Sequence, residues 1–199
     1  MNTISLDNIE AGRIIKLGDH RIICGDSTDP KIVDKLLNKC RVDAWICDEP
    51  YGIGAVESKQ NLVGSSNHKK IQNDQVQSES EHKAFIESWI KPVLPYLNKK
   101  NSLYFFNSDK MVFALRDAMR GCGLKFSQLI IWVKSQPVIG RLDYLPQHEL
   151  IAYGWYGTHK FRHSKDKSVV FYPKPSKSKL HPTMKPIALL RNLILNSTE

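Results

Sequence analysis

The strongest constraint on the fold of this chain is a series of short apolar runs separated by segments with helical spacing. Residues 42–47 (VDAWIC), 101–106 (NSLYFF) and 126–133 (FSQLIIWV) are such runs. Runs of this length are typical of strands buried on both faces of a sheet. Because predicted strands and helices alternate along the chain, we expect an α/β fold with an open, mostly parallel sheet and flanking helices.

The boundaries of the predicted elements follow from this periodicity and from the positions of proline and glycine. Strands are predicted at 21–24, 42–47, 101–106, 126–133 and 148–153, and helices at 31–38, 81–97, 110–120 and from 186 onward. Pro92 and Pro95 should break or bend the second half of the helix at 81–97. The order strand 21–24, helix 31–38, strand 42–47 predicts two parallel strands joined by a crossover. The polar segment 55–80 is expected to be a long mobile loop.

Composition narrows the class of protein. The chain has 199 residues, of which 41% are apolar, which is enough for one domain with a real core. It has neither an apolar run of membrane-spanning length nor the pattern of a signal peptide. Its four cysteines lack C-x-x-C spacing, so we expect reduced core thiols and a cytoplasmic protein without a metal site.

The net charge of +9 is concentrated in one segment. Residues 160–185 contain eight Lys or Arg and a single acid, Asp166. Such a segment is either an ordinary solvated surface or a strip that faces nucleic-acid phosphates. Phe161, Phe171 and Tyr172 lie among the basic residues and favour the second alternative, since aromatic rings stack on bases.

The run 42–47 ends in an unusual group of residues, Asp48, Glu49, Pro50 and Tyr51. Asp48 alone could cap a turn, and Tyr51 alone could be an ordinary packed ring. Together, a carboxylate, a backbone carbonyl fixed by a proline turn and an aromatic face suit the exocyclic amino group of a nucleobase. Such a base must leave the duplex before it can react. Asp26 also follows an apolar run directly, so we expect Asp26 and Asp48 to face the same crevice.

These residues carry a family resemblance. "DEPYGIG" at 48–54 resembles the Asp-Pro-Pro-Tyr motif of amino-group DNA methyltransferases, which methylate adenine N6 or cytosine N4. "GDHRIICGDSTD", "IIWVK" with "PQHELIAYG", and "HPTMKP" resemble further elements of the phage- and plasmid-type DNA modification methylases. All four occur in the order of the β-type members, in which the catalytic half comes first. The resemblance implies a Rossmann-like methyltransferase fold.

The resemblance also implies the roles of individual residues in the reaction. Asp48 and the backbone carbonyl of Glu49 would accept the two N–H groups of the target base. Pro50 would set the turn, and Tyr51 would stack on the flipped base. Asp48 at the first position of the motif favours adenine over cytosine.

Cofactor and DNA contacts are implied in the same way. The cofactor would be S-adenosylmethionine, with Asp26 near its adenosyl group and His181, Thr183 and Lys185 near its methionine carboxylate. The partner would be double-stranded DNA, with target recognition expected within residues 135–175. The residues predicted to contact DNA are Lys134, Arg141, Gln147 and Arg162; Arg141 and Gln147 could equally be ordinary surface residues.

Two departures from the family pattern are visible. Glu49 stands where the family usually has proline, which adds a carboxyl group beside Asp48. The sequence also ends at Glu199 without the strand and Gly-rich turn expected after "HPTMKP". We therefore expect either a methyltransferase that needs a second chain or C-terminal segment for its cofactor, or a fragment that binds DNA without methylating it. A P-loop ATPase is disfavoured because the sequence contains no G-x-x-x-x-G-K-[ST] loop.

Overall fold

A computed structural model describes residues 10–54, 73–138, 142–162, 165–173 and 184–199. The strands are β1 (Ile14–Leu17), β2 (His20–Ile23), β3 (Val42–Cys47), β4 (Leu97–Asn107), β5 (Lys125–Val133), β6 (His148–Trp155), β7 (Thr158–His159) and β8 (Val169–Phe171). The helices are α1 (Pro30–Leu37), α2 (Glu79–Ile90), α3 (Val112–Gly121) and α4 (Ile187–Leu195), with a 3₁₀ turn at Leu94–Tyr96.

The main sheet has the strand order β3-β4-β6-β5-β8, with the short strand β7 paired to the start of β4. Its pairings are mixed. β3 and β4 are parallel, as are β5 and β8, whereas β6 runs antiparallel to both of its neighbours. The predicted α/β class with flanking helices is confirmed, and β6 gives the sheet more antiparallel pairing than the strand–helix alternation indicated.

The strand predicted at 21–24 has a different partner from the one we expected. β2 pairs antiparallel with β1 in a separate two-stranded sheet, and the pairing of Leu17 with His20 leaves a two-residue turn. Gly18 begins that turn with φ of +60°, a conformation that glycine adopts without strain. The predicted parallel arrangement of this strand with β3 is therefore wrong. The backbone hydrogen bonds of β2 are made in a local hairpin with β1 instead.

Apolar side chains cover both faces of the main sheet. Along β4, Leu103 and Phe105 face the cluster formed with α2 and α3, whereas Tyr104 and Phe106 face the cluster formed with α4. All four are fully buried. Successive side chains of a strand point to opposite faces of the sheet, so a central strand that is covered on both faces needs apolar residues at every position. Trp89 of α2 packs edge-on against Trp45 and Phe105 in the first cluster.

The helix boundaries follow the capping and proline rules. Ser78 caps α2 in a complete capping box with Glu81, and the helix ends at Ile90, before Pro92. The predicted loop at 55–80 therefore ends at Ser78; its residues 55–72 lie outside the described part of the chain. On the other face of the sheet, the end of α4 is fixed by a buried 2.7 Å hydrogen bond between the hydroxyls of Tyr104 and Ser197.

The four cysteines are free, but they are not all core residues. Cys47 and Cys122 are partly buried, whereas Cys24 and Cys40 are exposed. Cys24 follows the peripheral hairpin and Cys40 lies in the turn after α1, which explains their exposure. None of the helices in the described part of the chain has the length and hydrophobicity of a bilayer-spanning segment.

Candidate active site

Three strand ends meet at one edge of the main sheet. The parallel register pairs Cys47 of β3 with Phe105 of β4, so both strands end at this edge. β6 runs in the opposite direction and pairs Leu150 with Asn107 of β4, so its beginning lies at the same edge. The topology thus brings together Asp48, Asn107 and Glu149, which are far apart in the sequence.

Asp48 is held by two groups at this edge. The Lys185 ammonium lies 2.7 Å from Asp48 Oδ1, and the Tyr51 hydroxyl lies 3.0 Å from the same oxygen. The other oxygen, Oδ2, takes part in neither bond, and the Asp48 side chain is 38% exposed. The site therefore presents a partly exposed carboxylate that Lys185 and Tyr51 hold through one of its two oxygens.

Glu149 extends this network into the sheet. Its Oε2 lies 3.0 Å from the Tyr51 hydroxyl and 3.3 Å from Lys185 Nζ, and its Oε1 lies 2.8 Å from Lys134 Nζ. Burial of Glu149 acts to raise its pKa, but the charges of Lys185 and Lys134 outweigh this effect, so the pKa of its carboxyl group lies below the ordinary value. Two carboxylates and two ammonium groups thus form a charge-balanced cluster.

The environment of Lys134 differs from the one that the sequence predicts. The sequence predicts it as a surface group that contacts DNA, but the residue is only 6% exposed. Its ammonium pairs with Glu149 and lies 5.5 Å from the centre of the Trp132 ring. The β5–β6 register, which pairs Trp132 with Glu149, places the carboxylate beside it. Lys134 therefore neutralises a buried carboxylate in the sheet.

Glu49 has a different environment from Asp48. Its side chain is buried, and its Oε1 accepts a 3.0 Å hydrogen bond from the Asn107 amide. Among the described residues its Oε2 has no hydrogen-bond partner. Burial, with a smaller contribution from the Asp48 charge, raises the pKa of Glu49 to about 8. At neutral pH Glu49 is therefore mostly uncharged and adds little negative charge beside Asp48.

The Tyr51 ring packs against the cluster formed by the sheet and α4. Lys185 Nζ lies 5.6 Å from the centre of that ring and 5.1 Å from the centre of the Phe106 ring. Burial, with the nearby carboxylates, raises the pKa of the Tyr51 hydroxyl well above its ordinary value, so this hydroxyl is a neutral donor. Tyr51 thus orients the carboxylates by hydrogen bonding.

Comparison with known proteins identifies the family. A family model of DNA methylases, the N6/N4 methyltransferases, matches residues 42–174, more than half of the chain. The chain belongs to the DNA methylase family. The family resemblance in the sequence motifs is thereby confirmed, and the matched region contains Asp48, Tyr51, Lys134 and Glu149.

The fold of this DNA methylase is similar to two solved structures. One is the crystal structure of an M1.HpyAVI–SAM complex, with a TM-score of 0.54 and 21% identity over 85% of this chain and 73% of that one. The other is the crystal structure of M1.HpyAVI, with a TM-score of 0.54 and 19% identity over 85% and 72% of the two chains. This likeness confirms the methyltransferase-like fold. No curated protein sequence matches the chain significantly.

Of the other residues of this DNA methylase that are predicted to contact the cofactor or DNA, three have described positions and three lie outside the described part of the chain. Asp26 lies beyond the peripheral hairpin, where it accepts two 2.8 Å hydrogen bonds from Thr28 that lower the pKa of its carboxyl group. No described contact joins Asp26 to Asp48. The exposed Gln147 donates to the Lys134 carbonyl oxygen, and Arg162 pairs with Glu199. The residues that lie outside the described part of the chain are Arg141, His181 and Thr183.

The sequence predicts the segment 135–175 as a target-recognition insertion. It contains β6, a central strand of the main sheet. Its role in target recognition stays a prediction. Two site residues of this DNA methylase, Glu149 and Asn107, were not predicted. The sequence feature that would have indicated them is a polar residue at one end of an apolar strand, as in "HELIAY" and "LYFFN".

Proposed function

We propose that this chain transfers a methyl group from S-adenosylmethionine to the exocyclic amino group of a base in double-stranded DNA, with adenine N6 favoured over cytosine N4. One observation carries this proposal. In a member of the DNA methylase family, the partly exposed Asp48 carboxylate at the end of β3 is fixed through one oxygen, Oδ1, by Lys185 and Tyr51, and neither of these two groups uses Oδ2. Asp48 at the start of the family motif supports adenine as the target.

Asp48 has a clear task in this reaction. The lone pair of an exocyclic amino nitrogen is delocalised into the base, so the nitrogen is a poor nucleophile. Asp48 Oδ2 would accept one N–H and the backbone carbonyl of Glu49 the other, which would raise the electron density on nitrogen. The carboxylate also stabilises the positive charge that develops there. The uncharged Glu49 side chain leaves this electrostatic task to Asp48 alone.

The residues present fit S-adenosylmethionine in chemical terms. When bound, this cofactor supplies a methyl group activated by a positively charged sulfonium. The Lys185 ammonium has three N–H donors, of which the contacts with Asp48 and Glu149 use two, so the third would serve the methionine carboxylate. Asp26, whose Oδ2 takes no part in the bonds to Thr28, would accept hydrogen bonds from the adenosyl group. His181 and Thr183 complete the proposed set.

The target base would be flipped out of the duplex to reach Asp48. Lys185 lies over the Tyr51 ring, so a base that stacks on Tyr51 would use the face that Lys185 does not cover. Gln147 and Arg162 are exposed side chains on the segments around β6 and are our candidates for DNA contacts, together with Arg141. Lys134 is no longer a candidate because it is buried.

The test is a methyl-transfer assay with radiolabelled S-adenosylmethionine and unmethylated duplex DNA, followed by digestion to nucleosides. We expect N6-methyladenine from the wild type and a decrease of at least about 100-fold for Asp48→Asn, because the variant loses the charge that stabilises the transition state. DNA binding should stay unchanged. Asp109→Asn removes an exposed carboxylate just beyond β4 and is the matched control.

Two results would contradict the proposal. One is equal activity of the wild type and Asp48→Asn. The other is a wild-type protein that binds DNA and S-adenosylmethionine but transfers no methyl group, which would favour a DNA-binding protein without methylating activity.

A further inference from the structure

Glu149 uses its two carboxylate oxygens for different partners. Oε1 lies 2.8 Å from the ammonium nitrogen of Lys134, the residue that follows β5. Oε2 contacts the Tyr51 hydroxyl at 3.0 Å and Lys185 Nζ at 3.3 Å. The side chain is 18% exposed, so these interactions are only weakly screened by water. Glu149 therefore connects the interior of the sheet to the two groups that hold Asp48.

Asp48 and Glu149 compete for the same donors. Lys185 is closer to Asp48, at 2.7 Å, than to Glu149, but it contacts both. The Tyr51 hydroxyl has a single hydrogen and lies 3.0 Å from each carboxylate. Glu149 therefore shares the Lys185 charge and the Tyr51 hydrogen with Asp48. The part that Glu149 takes does not neutralise Asp48.

We propose that Glu149 is a positioning residue for Asp48. By drawing Lys185 and Tyr51 partly toward itself, it keeps Asp48 Oδ1 in place while leaving the Asp48 carboxylate negative enough to stabilise a developing positive charge. Without Glu149, Lys185 and Tyr51 bind Asp48 alone, and Asp48 becomes a weaker acceptor for the amino group. This inference rests on the proposed function of Asp48, and nothing in it requires Glu149 to touch a substrate.

The test separates positioning from the support that Glu149 gives to Lys134. Glu149→Gln alone leaves a buried lysine without its carboxylate, which destabilises the fold. The double variant Glu149→Gln/Lys134→Met removes both charges of this buried pair and keeps side chains of similar size. Glu87→Gln is the matched control, because Glu87 also pairs with two lysines, Lys83 and Lys91, but on α2 away from the site.

Three measurements on the full chain decide the outcome. We expect the double variant to keep its thermal unfolding midpoint, to lose about tenfold or more in kcat, and to keep KM for DNA and for S-adenosylmethionine within about twofold. We also expect the ¹³C resonance of the Asp48 carboxyl group to shift relative to wild type, because Lys185 and Tyr51 now bind Asp48 alone. Glu87→Gln should change neither kcat nor this resonance.

A double variant with wild-type kcat and an unmoved Asp48 resonance would overturn the proposal. If the double variant is unfolded at the assay temperature, Glu149→Asp gives the same comparison, because it retains the charge but shortens its reach to Tyr51 and Lys185. The resonance also distinguishes the two proposals. A wild type that transfers no methyl group refutes the proposed function, whereas an unmoved Asp48 resonance in a folded variant refutes the positioning role.

Discussion

Glu49 gives a prediction about stability that is independent of any activity. Its carboxyl group is buried and uncharged at neutral pH, with a pKa of about 8 against an ordinary value of 4.5. The unfolded chain ionises Glu49 near the ordinary value, whereas the folded chain keeps it protonated. From this group alone, stability is therefore highest below pH 4.5, falls as the pH rises, and reaches its minimum above about pH 8.

The magnitude follows from proton linkage. Each pH unit between the unfolded and folded pKa values costs about 1.4 kcal/mol, so the interval from 4.5 to about 8 amounts to about 5 kcal/mol. Glu49→Gln keeps the size of the side chain and an oxygen that can accept from Asn107, but it cannot ionise. The variant should therefore gain stability relative to wild type as the pH rises across this interval, by about 3 to 5 kcal/mol in total.

The assay is urea unfolding of wild type and Glu49→Gln at several pH values between 5 and 8.5. Glu79→Gln, which neutralises an exposed carboxylate at the start of α2, is the control and should follow the wild-type pH dependence. If the difference in unfolding free energy between wild type and Glu49→Gln stays constant across this range, Glu49 is not held in its protonated form, and our explanation of the site's charge is refuted.

Two further predictions concern the fold. Ser78→Ala should destabilise the protein by about 1 kcal/mol in urea unfolding, because the capping box of α2 is lost; an unchanged unfolding free energy would mean that this helix end does not depend on the cap. Trp89→Ala should cost about 3 to 5 kcal/mol, because Trp89 is 2% exposed and packs edge-on against Trp45 and Phe105; a loss below about 1 kcal/mol would contradict the packing described for this cluster.

The sequence predicts local features of this fold well. The apolar runs identify the central strands, and Pro92 marks where α2 must already have ended. The residue types at 48–51 indicate the candidate site. These features depend on neighbouring residues only, so the periodicity and the turn residues of a single segment are enough to recognise them.

Features that depend on distant partners were not predicted. The partner of β2 is the short strand β1, whose apolar pattern is too brief to recognise alone. The burial of Lys134 depends on the β5–β6 register, which a sequence pattern does not specify across an intervening loop. The contact of Lys185 with Asp48 joins residues 137 positions apart. In each case the partner of a strand or of a charged side chain lies in a distant segment, and the local sequence does not indicate which segment it is.

The wide sequence separation within the Asp48 network has a kinetic consequence. Tyr51 and Glu149 are 98 positions apart, and Lys185 lies just before α4, which packs on the opposite face of the sheet from α2 and α3. We therefore expect the network to form only after β3, β6 and the segment at the start of α4 have docked, late in folding, since closing such long loops is slow. Appearance of the Lys185–Asp48 contact during refolding would then report the docking of α4 beside the end of β3.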